Sequence, residues 1–177
     1  MAFTRPGLRS ALGEYLLAYK QVLSEGLLTG AFSRTWAPLL LADRKPKLSG
    51  GDIKKINGSE GYVISYSPRK GSDLTIRLYF DKDTFRHIRT EYSHTISAQM
   101  GATSDLSANQ TESHENLTEE FSDFKSENGV TLPRRYKLTL YIERGKTSRQ
   151  YFYDFNFSAL YYNQALDPAT FSSASGQ

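Results

Sequence analysis

The stretch DLTIRLYFDKDTFRHIRTEYSHTI, Asp73 to Ile96, decides the fold class. In its first half Leu74, Ile76, Leu78 and Phe80 alternate with Thr75, Arg77 and Tyr79. A repeat of two places those four apolar side chains on one face of a β-strand. The polar turn Asp81-Lys82-Asp83-Thr84 follows, and a second strand returns. On that strand Ile88, Tyr92 and Ile96 are expected to share a face, with His87, Arg89, Glu91 and Ser93 pointing away. Two strands alone are marginal in water, so this hairpin requires further strands beside it and an apolar cover.

Downstream, the alternation recurs. Leu138, Leu140 and Ile142 fall on one face of a strand over residues 136–143. Tyr153, Phe155 and Phe157, with Tyr151 and Tyr161, line one face of a strand over 151–161. A further strand is expected over 117–124, and two upstream over 52–56 and 62–66. With 74–80 and 85–96 these form a sequential antiparallel meander, because neighbouring strands usually pair. Asn57-Gly58 is a two-residue hairpin turn, both positions tolerating positive φ. Residues 68–72 and 143–147 supply longer turns. The inner face is predicted to consist of Leu74, Ile76, Leu78, Phe80, Leu138, Leu140, Ile142, Tyr153, Phe155 and Phe157.

Upstream of the sheet, Leu12, Tyr15, Leu16, Tyr19, Val22 and Leu23 recur at steps of three and four, which predicts one helix over residues 10–25. Gly26 stands where a C-terminal glycine ends such a helix. A short second helix is expected before Pro38, with Trp36, Leu39, Leu40 and Leu41 plugging one end of the core. The organisation is therefore a helical segment over 1–45, a sheet domain over 46–171 and a frayed tail over 172–177. The stretch 98–115 is small, polar and aperiodic, and loops of that length are commonly functional or mobile.

Composition narrows the function classes. The 177 residues hold 38% hydrophobic side chains, with 12 Tyr and 10 Phe supplying large buried areas. A net charge of +3 without a clustered basic face does not point to nucleic acid. Lys45, Lys47, Lys54 and Lys55 form a loose basic patch, a candidate for contact with an anionic membrane surface. Arg134, Arg135 and Lys137 read as ordinary solvated surface. With no cysteine, disulfides and thiolate metal sites are excluded. The first residues do not follow the signal-peptide pattern, and no apolar run reaches the ~20 residues of a membrane span.

No motif for hydrolysis, phosphate binding or metal-dependent proteolysis is present, and no cofactor is expected. His87, His94 and His114 lack metal-ligand spacing and read as surface or rim histidines, with His87 and His94 on opposite faces. Glu112, Glu115, Glu119 and Glu120 read as a solvated acidic face. An enzyme is therefore not expected.

Three segments together resemble a known family: LYFDKDTFRHIRTEY (78–92), EEFSDFKSENGVTLPRRYKL (119–138) and YYNQALDPATF (161–171). Their order and spacing are similar to the outer-membrane lipoprotein-sorting proteins, which share the fold of the periplasmic lipoprotein carrier and its receptor. The resemblance covers residues 53–171 and leaves the N-terminal helical stretch in place of that family's opening elements. It implies an α+β fold in which a curved antiparallel sheet, an unclosed β-barrel, carries the N-terminal helix or helices on its concave face. It further implies a periplasmic or cell-envelope protein that binds lipid or lipoprotein acyl chains, with the ten inner-face residues as cavity lining. The alternative is a structural or interaction module whose core is filled by its own side chains.

Overall fold

The computed structural model describes residues 10–33, 36–44, 46–56, 58–67, 73–96, 113–161, 165 and 167. Seven strands run in sequence order across one open antiparallel sheet: β1 (Lys47–Ile56), β2 (Ser59–Ser67), β3 (Leu74–Asp81), β4 (His87–Ile96), β5 (Ser113–Glu127), β6 (Val130–Arg144) and β7 (Thr147–Asn156). β1 and β7 are not neighbours, so the curved sheet stays unclosed, as expected of the fold class. The β1–β2 hairpin closes at Ile56 opposite Ser59, with Gly58 at φ 93°. Asn57, the long stretch 97–112 and the tail 172–177 lie outside the described residues.

β5 and β6 form a ribbon of fifteen residues each, longer than the alternation predicts. Their turn is Asn128-Gly129, both at positive φ, between the paired Glu127 and Val130. Pro133 sits inside β6, opposite Phe124, beyond the point where β7 ends at Asn156 opposite Arg135. At that position β6 has a partner on one side only, which is where a strand tolerates proline.

Over the concave face lies the N-terminal segment. It is broken where a single helix was expected: α1 (Ala11–Ala18) and α2 (Lys20–Ser24) are separated at Tyr19, whose φ and ψ are −112° and 54°. The break turns Tyr19 toward β4, where its hydroxyl lies 2.8 Å from His94 Nδ1. The Ser10 side chain caps α1 by accepting from the Gly13 N–H. α2 ends in a Schellman turn: Leu27 N–H donates to Val22 O, Gly26 N–H donates to Leu23 O, and Gly26 has φ 62°. The two apolar residues of that turn, Val22 and Leu27, are both fully buried. Single-turn pieces follow at Gly30–Phe32 and Ala37–Leu40, then α3 (Leu41–Arg44).

Tyr15, Val22 and Leu27 of this segment share one core with Tyr66, Leu74, Ile76, Leu78, Tyr92, Leu117, Phe121, Tyr136, Leu138 and Leu140. Each such side chain taken fully out of water stabilises the fold by about 2 kcal/mol. The opposite face carries a small second cluster of Ile56, Val63, Tyr79 and Ile88.

Candidate functional site

The antiparallel register lines up rows of residues across the concave face. One row runs Ile64, Leu78, Thr90, Glu119, Leu138, Tyr153, each opposite the next on the neighbouring strand. The row beside it is Tyr66, Ile76, Tyr92, Leu117, Leu140, Tyr151. Both are apolar except at their centres, where a carboxyl and hydroxyls interrupt them.

Glu119 is 0% exposed in the middle of β5. Its Oε1 accepts from the Thr29 N–H and from the Tyr136 hydroxyl, each at 2.7 Å. Its Oε2 lies 2.5 Å from the Tyr92 hydroxyl. That same hydroxyl reaches the Leu27 carbonyl. Two sheet strands and the segment above them therefore meet on one carboxyl. Burial pushes its pKa up to about 7, against hydrogen bonds from Tyr92 and Tyr136 that pull it down. Burial and the nearby Glu119 also raise Tyr92 and Tyr136, so both phenols stay protonated.

His87 is the second buried polar group of the face. Its ring sits among Trp36, Phe80 and Phe121, with centroids 4.9, 5.4 and 4.9 Å away. Nε2 is 2.8 Å from the Thr90 hydroxyl. Burial lowers its pKa to about 4, so the imidazole is neutral. Gly30 passes directly over it at φ 48°: a Cβ there would stand 2.7 Å from Nδ1 and 2.9 Å from Phe121 Cζ.

At the rim, between α1 and the outer strands, lies a cleft of about 510 Å³. Its lining mixes Tyr15, Ile142 and Tyr151 with Glu14, Arg144 and Arg149. Glu115, buried beside it, accepts from Arg144 Nη2 at 3.0 Å. Among the described residues no cluster of His, Asp or Glu forms a metal-binding group. No described helix is long and apolar enough to cross a membrane.

No family model, curated protein or solved structure matches the chain.

Of the ten residues expected on the inner face, Leu74, Ile76, Leu78, Leu138 and Leu140 are buried in the core, and Phe80, Ile142, Tyr153 and Phe157 pack against it. Phe155, on the outermost strand, is 42% exposed while its ring stacks on Tyr136 at 5.6 Å. The same core contains Tyr15, Val22 and Leu27 of the chain's own N-terminal segment.

Several surface assignments are overturned. Glu119 and Glu115 belong to the buried face, because they share parity with Leu117 and Phe121. His87 is core and His94 half-buried against Tyr19, on the same face and not on opposite ones. The cause is a register shift between Tyr79 and Phe80: Phe80 pairs with His87 while Tyr79 pairs with Arg89, leaving Ile88 as an extra residue. Ile88 accordingly packs in the cluster on the opposite face, apart from Tyr92. Arg134 is also buried, paired with Glu127, whereas Arg135 is on the surface as expected, bonded there to Asp154 at 3.0 and 2.6 Å. Phe85, expected in β4, lies in the turn with φ 56° and stacks on Tyr62.

Proposed function

We propose that this chain is a non-enzymatic interaction module: an open half-barrel whose concave face is filled by its own N-terminal segment. The observation that carries this reading is the burial of Val22 and Leu27 at 0% exposure in one core with Leu74, Ile76, Leu78, Leu138 and Leu140. Those side chains occupy the volume that hydrocarbon would need. Partners then meet what is left open, above all the edge strands β1 and β7, each paired on one side only among the described residues. Exposed backbone N–H and C=O groups on such edges accept an added strand.

A second reading, binding of lipid or lipoprotein acyl chains in the cell envelope, is supported by the resemblance to the lipoprotein-sorting proteins and by the make-up of the plug. Short helical pieces broken at Tyr19 and Gly26 are easier to displace than a long helix or a strand. Beneath them is a continuous apolar face able to bury acyl chains at ~0.8 kcal/mol per CH₂. Native mass spectrometry of detergent-free protein separates the two. The module reading expects the bare 20.0 kDa chain, alone or with a protein partner. A stoichiometric lipid adduct on the full chain would replace it by the carrier reading.

A further inference from the structure

Counting protons at the centre of the concave face identifies which group is ionised. The Tyr92 hydroxyl owns one hydrogen and touches two acceptors, the Leu27 carbonyl and Glu119 Oε2, while the Thr90 hydroxyl borders both Tyr92 and Glu119. A carbonyl can only accept. If Tyr92 donates to Leu27, its contact with Glu119 is a hydrogen bond only when the carboxyl supplies the proton. The remaining contacts agree with that state. Oε1 takes the two donors, Thr29 N–H and Tyr136 O–H, and so behaves as the C=O of a neutral acid, while Oε2 carries the hydrogen. With Glu119 protonated, every polar group of the cluster is satisfied. With Glu119 ionised, Tyr92 is drawn to the carboxylate and the Leu27 carbonyl loses its donor.

We propose that Glu119 is a proton-binding site that clasps the N-terminal segment to the sheet, holding residues 27–30 down while protonated and releasing them when ionised. The titratable groups facing it are Tyr92 on β4, Tyr136 on β6 and, through Thr90, His87. The overlying segment contributes only backbone at Leu27 and Thr29. Glu115, two positions along the same face of β5, is taken up by Arg144. Among the described residues no lysine or arginine pairs with Glu119, so only hydrogen-bond donors, and no opposite charge, stand against its desolvation when ionised. β5 and β6 are fixed by ladders on both sides, whereas residues 27–30 are held by turns. Relief therefore comes by lifting the segment. The raised carboxyl pKa places the event near neutral pH.

The test is a ¹³C-carboxyl titration of Glu119 followed together with amide exchange at Thr29, on wild-type protein and on Glu119→Gln. A glutamine reproduces the neutral acid, with an N–H toward Tyr92 and an oxygen for Thr29 and Tyr136. In the wild type, Glu119 is expected to stay protonated to about neutral pH, and Thr29 protection, corrected for intrinsic exchange, to fall roughly a hundredfold between pH 5 and pH 9. Glu119→Gln is expected to hold that protection flat. Titration of Glu119 in the ordinary carboxylate range overturns the proposal, as does a Thr29 profile that ignores the titration or is unchanged in the variant. Both readouts can be taken on wild-type protein alone, so a variant that fails to fold leaves the test intact. Neither involves a ligand, so the result stands apart from the fate of the module or carrier readings.

Discussion

Glu119 and His87 are both titratable, both buried on the concave face, and linked through Thr90, yet they are accommodated by opposite means. Glu119 is met by hydrogen-bonding groups from two strands and from the segment above. His87 is met mostly by rings, with Thr90 as its side-chain partner. Burial favours the neutral form of each, which means that the acid keeps its proton and the base loses one. The same desolvation therefore acts on stability with opposite signs as pH changes.

The largest effect expected from breaking this comparison is that of Glu119→Ala. It strands the Tyr136 hydroxyl and the Thr29 N–H in a water-free site, while Tyr92 keeps the Leu27 carbonyl. At 1–3 kcal/mol for each unsatisfied group, a loss of about 4 kcal/mol is expected in urea unfolding at pH 6. An equivalent His87→Ala loss would show that burial alone, and not the polar cluster, sets the cost.

The opposed signs come next. Glu119 binds its proton more tightly when folded, about 7 against an ordinary 4.5, so its stabilisation is complete at low pH and is lost as pH rises through that window. His87 binds its proton less tightly when folded, about 4 against 6.5, so its contribution is lost as pH falls through its own window. Where the windows overlap the two slopes cancel. Relative to wild type, Glu119→Gln should gain stability with rising pH, and His87→Phe should lose it, each by about 1.4 kcal/mol per pH unit within the overlap. Urea titrations at stepped pH measure both. A variant curve parallel to the wild type would remove the group it replaces from the account, and three parallel curves would remove both.

Gly30 is where the segment crosses His87, and its substitution sharpens the contrast between the two sites. Gly30→Ala places a Cβ against His87 and Phe121 at a positive φ, for an expected loss of about 2 kcal/mol. Thermal unfolding would show it, and pairing the change with His87→Ala should recover part of it by making room. The smallest effect belongs to His87→Phe at pH 7, where the imidazole is already neutral. A change within about 1 kcal/mol is expected, since the cage is aromatic and volume is nearly kept. A much larger loss would mean that the Thr90 bond, not the rings, holds this position.

How far all of this was readable beforehand differs along the chain. Seven strands and the meander follow from alternation punctuated by turn residues, and nine of the ten inner-face residues join one core because the period of two survives in β3, β6 and β7. The polar centre is another matter. Glu119 has the parity of Leu117 and Phe121, so the signal for burial was present, but a lone carboxylate among glutamates looks solvated until its partners are seen. Those partners are about 90 residues away at Thr29 and 27 away at Tyr92, beyond any local pattern. In β4 the extra residue Ile88 reverses the phase, so alternation counted through it puts His87 on the wrong face. β5 and β6 run past the expected strands because the alternation lapses between Phe124 and Tyr136, although Asn128-Gly129 marks the hairpin.

The sequential strand order also has a temporal side. Every strand pairs with its neighbour in the chain, so the meander can zip up through local hairpins. The segment that covers it must instead close a loop of about 90 residues to bring Thr29 onto Glu119. It is made before the sheet yet docks after β4, β5 and β6 are in position, since its landing place needs all three. During synthesis, then, residues 27–30 wait on strands made after them, and the apolar face stays bare until they meet.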